Sequence, residues 1–485
     1  MTDLEAVIGL EVHVELSTET KLFCSCPNEF GAEPNTNVCP VCLGLPGSLP
    51  VLNQRVVEYA LRLGEALHFS VPPSSLFHRK NYFYPDMPKD YQVSQYDEPI
   101  CVDGVLEVDG ASIGIERAHM EEDTGKSQHV GGEGGRIHGA AHSLVDYNRA
   151  GVPLMEIVSR PDLRSAEQAR GYVTELRGVL QAIGVSDVKM EEGSMRVDAN
   201  VSVRPAGAAE MGTKVEVKNM NSIRSVGRAI EYEIERQSIA SEAGRPIVQE
   251  TRHWDEEAGV THGMRSKEGS DDYRYFPEPD LVPVAPTETM RAEAVREVPE
   301  LPAARRARFV GEWGLSPGDA KVLVDNPALA AFAEQTVAAG GAPKDVANWC
   351  TGDILGYLNE TGGAVGALPL TPDGLAELVG LVGDGTLSRN LAKEVLATCL
   401  RERKRPKEVV DERGLAQVSD EGELATLVDD VLGRNSDAVS DYRSGDDKAK
   451  KKKRGFLMGE LMKASQRKGN PELLNKLLDE RLQAG

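Results

Sequence analysis

Long apolar runs are missing from this 485-residue sequence. None approaches the roughly 20 residues that a bilayer-crossing helix needs, which excludes a helical membrane span. The opening residues Met1-Thr2-Asp3-Leu4-Glu5 lack a basic stretch followed by an apolar one. No secretory signal is therefore expected, and the expected location is cytoplasmic. Several familiar motifs are missing as well. Gly125-Lys126-Ser127 looks like the end of a phosphate loop, but the position five residues before Gly125 is Met120, not glycine. Gly131-Gly132-Glu133-Gly134-Gly135 lacks dinucleotide-binding spacing and reads as a surface loop. No Gly-x-Ser-x-Gly elbow and no His-Glu-x-x-His helix occurs. Any nucleotide site must therefore use an unorthodox scaffold. No histidine lies beyond His262, which assigns acid–base chemistry to the first part of the chain. No solenoid repeat is visible.

What is present is a globular composition, 40% hydrophobic and 27% charged. This length accommodates two to four domains. The net charge of −22 argues against nucleic acid as an average over the surface. The run Lys448, Lys450, Lys451, Lys452, Lys453, Arg454, followed by Lys463, Arg467 and Lys468, departs from that average. Clustered cations of this kind either coat a solvated helix or contact a phosphate backbone through counterion release.

The most informative segment is Gly9-Leu10-Glu11-Val12-His13-Val14-Glu15-Leu16. Strict alternation predicts a strand with Glu11, His13 and Glu15 on one face. The pattern returns in 113–120, which runs into Glu121-Glu122-Asp123, and in 153–158, where Glu156 is the lone carboxylate of an apolar strand. It returns again in 196–204, where Arg196, Asp198, Asn200, Ser202 and Arg204 share a side, and in 214–218 with Lys214, Glu216 and Lys218. The apolar faces of such strands pack on a second layer. The opposite faces together supply the oxygen and nitrogen ligands of a Mg²⁺–nucleotide site.

Four of the seven cysteines form Cys24-x-Cys26 and Cys39-x-x-Cys42. Without an export signal, this spacing reads as a tetrahedral structural zinc site rather than disulfides. Pro27, Asn28, Pro40 and Gly44 supply the turns. Four thiolates leave no open coordination position, which argues against catalytic zinc. Cys101, Cys350 and Cys399 read as buried apolar residues. After residue 290 the pattern becomes helical, with Ser316-Pro317, Asn326-Pro327 and Thr371-Pro372 as start signals. The charged stretch 401–407 marks a hinge into a smaller helical domain. That domain ends in a helix from Asn470-Pro471, with Leu473, Leu474, Leu477, Leu478 and Leu482 along it. The expected class is α+β: a largely antiparallel-sheet cradle (1–290, with the knuckle at 24–42), a helical domain (291–406) and a small helical tail domain (407–485).

Longer blocks then carry a resemblance over essentially the whole chain. They are 7–16, Arg79-Lys80-Asn81-Tyr82-Phe83-Tyr84-Pro85-Asp86, 119–123, 186–200 and 268–280. The chain resembles the B subunit of the bacterial aspartyl/glutamyl-tRNA(Asn/Gln) amidotransferase. The resemblance implies phosphorylation by ATP of the side-chain carboxylate of Glu-tRNA(Gln) or Asp-tRNA(Asn). Ammonia from glutamine hydrolysis by an amidase A subunit then displaces phosphate, with a small C subunit tying the complex together. Glu11, His13 and Glu122 match the family's Mg²⁺ ligands, although strict alternation places Glu121 beside His119 and leaves the choice between Glu121 and Glu122 open. Glu156, Asp198, Asn200 and Glu216 are further candidates for metal, nucleotide or aminoacyl contacts. Lys80, Arg149, Arg196 and Lys218 are candidates for holding phosphates, and Tyr82 and Tyr84 for stacking on adenine. The family's helical and tail domains imply that Lys450, Lys451, Lys452, Lys453 and Arg454 bind tRNA. The knuckle is not universal in the family, which supports a structural zinc. Two rival readings remain: a zinc-stabilised tRNA-binding adaptor without catalysis, and a ligase for a free small carboxylate.

Overall fold

The computed structural model describes residues 4–131, 139–264, 273–415, 421–465 and 469–483. The segment 132–135 of the glycine-rich loop, positions 268–272, and the cations Arg467 and Lys468 lie outside the described residues. The chain forms two compact units, Met1–Pro302 and Ala303–Gly485. No helix among the described residues is long and apolar enough to cross a membrane.

The first unit contains thirteen described strands: β1 (Leu4–Glu15), β2 (His78–Asn81), β3 (Tyr91–Ser94), β4 (Cys101–Val108), β5 (Ala111–Glu122), β6 (Lys126–Val130), β7 (His142–Asp146), β8 (Pro153–Ser159), β9 (Met195–Pro205), β10 (Val215–Met220), β11 (Thr251–Asp255), β12 (Val260–Gly263) and β13 (Phe276–Pro277). Eight of them make one sheet in the order β12-β11-β10-β9-β1-β8-β5-β4. The five segments picked out by alternation become β1, β5, β8, β9 and β10. They are contiguous, in the spatial order β10-β9-β1-β8-β5. Every pairing in this sheet is antiparallel except β10 with β11. The fold is thus α+β, with a largely antiparallel sheet followed by helices.

Leu10, Val12 and Val14 of β1 share a core with Met155 and Ile157 of β8 and with Val197, Ala199 and Val201 of β9. Three helices cover that face: α1 (Gln54–Ala66), α2 (Ala166–Ala182) and α3 (Ile223–Glu242). Each is started by a side-chain cap. Asn53 accepts from the Arg55 N–H, Ser165 from Gln168 and Ser222 from Ser225. Each fully buried aliphatic side chain of this layer contributes about 1.5–3 kcal/mol, so the apolar face fixes the register of every strand. The helix α4 (Glu288–Glu297) packs on α1, which keeps the chain as far as Pro302 with this unit. A three-stranded sheet, β13-β2-β3, and a β6–β7 ribbon complete it.

The second unit is built from helices with two separate apolar clusters, one from Phe309 to Val410 and one from Leu424 to Leu482. Helices begin at Pro317, Pro327 and Pro372, where Ser316, Asn326 and Thr371 accept backbone bonds at 3.1–3.2 Å. The last helix, Pro471–Gln483, buries Leu474, Leu477, Leu478 and Leu482.

Candidate active site and metal centres

The polar face of the sheet is assembled by register. His13 of β1 lies opposite Glu156 of β8 on one side and Arg196 of β9 on the other. Glu156 in turn lies opposite His119 of β5, and Glu11 lies opposite Asp198. The side chains converge on the His13 imidazole. Its Nε2 is 3.3 Å from Glu156, 3.6 Å from Glu11 and 3.8 Å from Glu121. His119 Nε2 is 3.5 Å from Glu156 and 3.7 Å from Glu121. Two overlapping groups place their donor atoms within 4.8 Å of one another: His13, Glu121, Glu156 and Glu11, His13, Asp198. A carboxylate–imidazole donor set of this kind fits a hard divalent cation.

A cavity of about 580 Å³ opens on this face. Lys80, Glu216 and Lys218 line it together with Tyr82, Tyr96 and Tyr275. Lys218 pairs with Asp198 and lies 3.6 Å from Glu216, which also accepts from Thr251 at 2.7 Å. Tyr84 stacks on Tyr82, with centroids 5.8 Å apart. Tyr96 stacks on Tyr275 at 4.3 Å. The buried Oδ1 of Asn200 and Nδ1 of His119 have no hydrogen-bond partner among the described residues. Two polar atoms left open beside a charged cavity are consistent with ligand contacts. Arg196 reaches Asp123 at 2.7 Å, and Arg149 lies 3.5 Å from the same carboxylate, at the Glu15 end of the face.

The electrostatics are mutually dependent. Burial alone would lower the His13 pKa, but the hydrogen bond and charge of Glu156, with Glu121 and Glu11, raise it to about 9. Burial would raise the Glu156 carboxyl, yet the field of His119, the His13 bond and Lys80 hold it well below the ordinary carboxylate range. Glu11 is raised by burial and by Glu156. Lys80 is desolvated, but Glu121, Tyr275 and Glu156 more than compensate and raise it above the ordinary lysine value. Glu15 is pushed up to about 8 by burial and by Asp123.

Glu122 is not brought to His13. Period-2 alternation sends it to the opposite face with Ala118 and Met120, where its carboxylate accepts from Lys89 Nζ and from the Val93 N–H at 2.8 Å. Glu121 takes the place beside His13 and accepts from Ser94 at 3.1 Å. Ser94, Tyr96, Arg117, Thr251 and Tyr275 also line the cavity, and sequence reasoning assigns none of them a role in it. Arg117 sits in the alternating segment 113–120 and Tyr275 in the block 268–280, so only Ser94 at the end of β3, Tyr96 just after it and Thr251 of β11 lie outside every such pattern. The packing of β3 on β5 and the place of β11 in the sheet bring these three in.

Cys24, Cys26, Cys39 and Cys42 form a second cluster, with their Sγ atoms within 4.8 Å of one another. The Cys39–Cys42 Sγ separation of 3.9 Å matches the edge of a tetrahedron with roughly 2.3 Å metal–sulfur bonds. A hydrogen bond between Cys24 and Cys42 raises the Cys24 thiol and lowers that of Cys42 to about 5, the asymmetry of a shared proton. The group can hold a metal ion.

In the tail, the proposed tRNA-binding cations divide. Lys451 and Lys452 are exposed and Lys450 is half-buried, all on the helix Asp447–Ala464. Lys453 pairs with Asp441 at 2.7 Å. Arg454 forks onto Asp479 with two bonds of 2.7 Å and reaches Asn475 at 3.1 Å. Arg454 therefore braces two helices of the second unit.

A sheet face that gathers acids, imidazoles and lysines around one cavity, with a four-cysteine knuckle and a helical second unit, defines an α+β protein of two units with a polar, cation-ready cleft. Comparison with known proteins narrows it. The family model described as the GatB/GatE catalytic domain matches residues 6–292, and that described as the GatB domain matches 331–482. The B subunit of the aspartyl/glutamyl-tRNA(Asn/Gln) amidotransferase of Thermosynechococcus vestitus is 53% identical over 490 residues, covering 99% of this chain and 97% of that protein. The proteins of the same name from Caldanaerobacter subterraneus and Synechococcus elongatus are each 51% identical, with 99% of this chain covered and 99% and 98% of theirs. The chain belongs to the family of the B subunit of tRNA-dependent amidotransferase.

Proposed function

We propose that this chain is the kinase and transamidase component of such a complex, using ATP to phosphorylate the side-chain carboxylate of Glu-tRNA(Gln), Asp-tRNA(Asn) or both. The observation that carries this reading is the convergence of Glu11, His13, Glu121, Glu156 and Asp198 on one side of a cavity with Lys80 and Lys218 in its wall. A carboxylate is a poor acyl electrophile because oxide is a bad leaving group. Attack of its oxygen on the γ-phosphorus, with release of ADP, gives an acyl phosphate. Ammonia then attacks the carbonyl carbon, phosphate leaves, and a proton is lost to give the amide. When bound by the His13 group, Mg²⁺ supplies neutralisation of triphosphate oxygens. Lys80 and Lys218 hold phosphate charge, and the Asn200 and His119 atoms left open orient polar groups. Tyr82, with Tyr84 behind it, offers a face for adenine. Arg149 and Arg196, tied to Asp123, position the Glu15 end of the face. Zinc in the four-cysteine knuckle supports the fold. A partner amidase supplies ammonia, a small third protein joins the complex, and Lys450, Lys451 and Lys452 contact tRNA phosphates.

The test is ATP hydrolysis by the reconstituted three-protein complex with charged tRNA(Gln), uncharged tRNA and free glutamate. Stimulation by charged tRNA alone is the expected result. Binding of tRNA without turnover would instead mark a catalytically inert adaptor, and turnover with free glutamate a small-molecule ligase.

A further inference from the structure

Lys21 is fully buried. Its Nζ donates to three backbone carbonyls, those of Ala150 (2.7 Å), Asn37 (2.8 Å) and Tyr147 (3.4 Å). All the ammonium protons thus go to neutral acceptors. No carboxylate pairs with it among the described residues, because the nearby acids are engaged elsewhere: Glu122 by Lys89, and Asp123 by Arg196 and Arg149. A buried ammonium without an anion is costly. The available counter-charge is the cysteine cluster. A Cβ built on Gly151 would lie 3.5 Å from both the Cys42 Cβ and the Lys21 Cδ and 3.8 Å from the Glu122 Oε2, so the three side chains flank one point, with Glu122 held by Lys89 through its other oxygen. Four thiolates around one divalent cation leave a net anion.

Lys21 also joins two places in the fold. At one end its N–H donates to the Cys26 carbonyl at 3.0 Å, and Asn37 lies in the loop leading to Cys39. At the other, Tyr147 and Ala150 flank Arg149, whose guanidinium donates to the Thr124 and Gly125 carbonyls at 3.0 and 2.9 Å. The Gly151 N–H donates to the Asp123 carbonyl at 3.0 Å. The loop is thereby tied to the end of the catalytic face.

We propose that Lys21 is a positioning residue: it is the outer counter-charge of the metal-loaded knuckle and ties that knuckle to loop 147–151, so that metal occupancy sets the placement of Arg149 against Asp123. The inference rests on the knuckle being a metal site. Its test uses the full chain purified with zinc and a chromophoric chelator. Lys21→Met keeps the aliphatic stem and removes the charge, and zinc retention should weaken by roughly 10- to 100-fold. Independently, hydrogen exchange at the amides of Ala150, Gly151 and Val152 in the unsubstituted chain should quicken after zinc removal, while the β10–β11 pairing is unaffected. That measurement stands even when Lys21→Met does not fold. Unchanged zinc retention in folded Lys21→Met, or loop amides indifferent to zinc removal, overturns the proposal. An unsubstituted chain that binds no zinc overturns the metal reading of the knuckle itself and leaves the proposed kinase site untouched.

Discussion

At the scale of single residues, the adjacent acids Glu121 and Glu122 have opposite fates because one faces His13 and the other faces Lys89. Glu121→Gln should lower charged-tRNA-stimulated ATP turnover by roughly 100-fold while leaving the unfolding midpoint near its original value. Glu122→Ala should do the reverse. It leaves the nearly buried Lys89 ammonium unpaired, which costs about 3–5 kcal/mol and should appear as an earlier first transition in urea. Equal loss of turnover in both variants, with stability unchanged, would contradict this division. His13 carries a pH signature. Its pKa rises from 6.5 to about 9 on folding, so the folded state holds the proton more tightly. That stabilisation is fully present below about pH 6.5 and is lost as pH rises through about 9. In chain treated with chelator, the urea midpoint should fall over that window, and His13→Gln should flatten the fall.

Elements reveal why alternation is so readable here. In β1, β5, β8, β9 and β10 one face is apolar and covered by helices, so the period of two is written directly into the residue types. The same logic favours Glu121 over Glu122, where family likeness points the other way. The helix Asp447–Ala464 is less legible, because a run of cations does not say which of them are engaged. Lys451 and Lys452 are exposed, whereas Arg454 is clamped on Asp479 and Asn475. Replacing Lys451 and Lys452 with Ala should weaken tRNA binding and reduce the slope of log affinity against log salt by up to about 1 per lysine. Arg454→Ala should lower the melting temperature of the second unit more than it changes that slope. A filter-binding salt titration, paired with thermal melts, separates the two.

For the whole molecule, the division at Pro302 has a consequence that can be measured. The first unit has its own sheet, helical layer and apolar core, whose described residues lie between Ala6 and Leu301. A fragment of residues 1–302 should unfold cooperatively on its own and retain the cysteine cluster's metal. A fragment that stays unfolded by circular dichroism would show that the second unit is needed for its stability. The helix α4 belongs with this fragment although its composition already reads as helical domain. Composition registers the kind of element, and only packing on α1 registers which core it serves.

The residue sequence alone determined the five polar-faced strands, the four-cysteine knuckle, the proline-started helices and the α+β class. Each of these is local: a period, a spacing or a cap that a few neighbouring residues specify. Tertiary structure decided which carboxylates meet. Strand order placed β8 between β1 and β5, so that Glu156 lies between two histidines contributed by segments more than a hundred residues apart. It also buried Lys21 near the cysteine cluster and turned Glu122 away from His13. Contacts of that kind depend on which strands pair and in what register, and that is set by burial of the shared apolar face, a property of the assembled layers that no single segment carries.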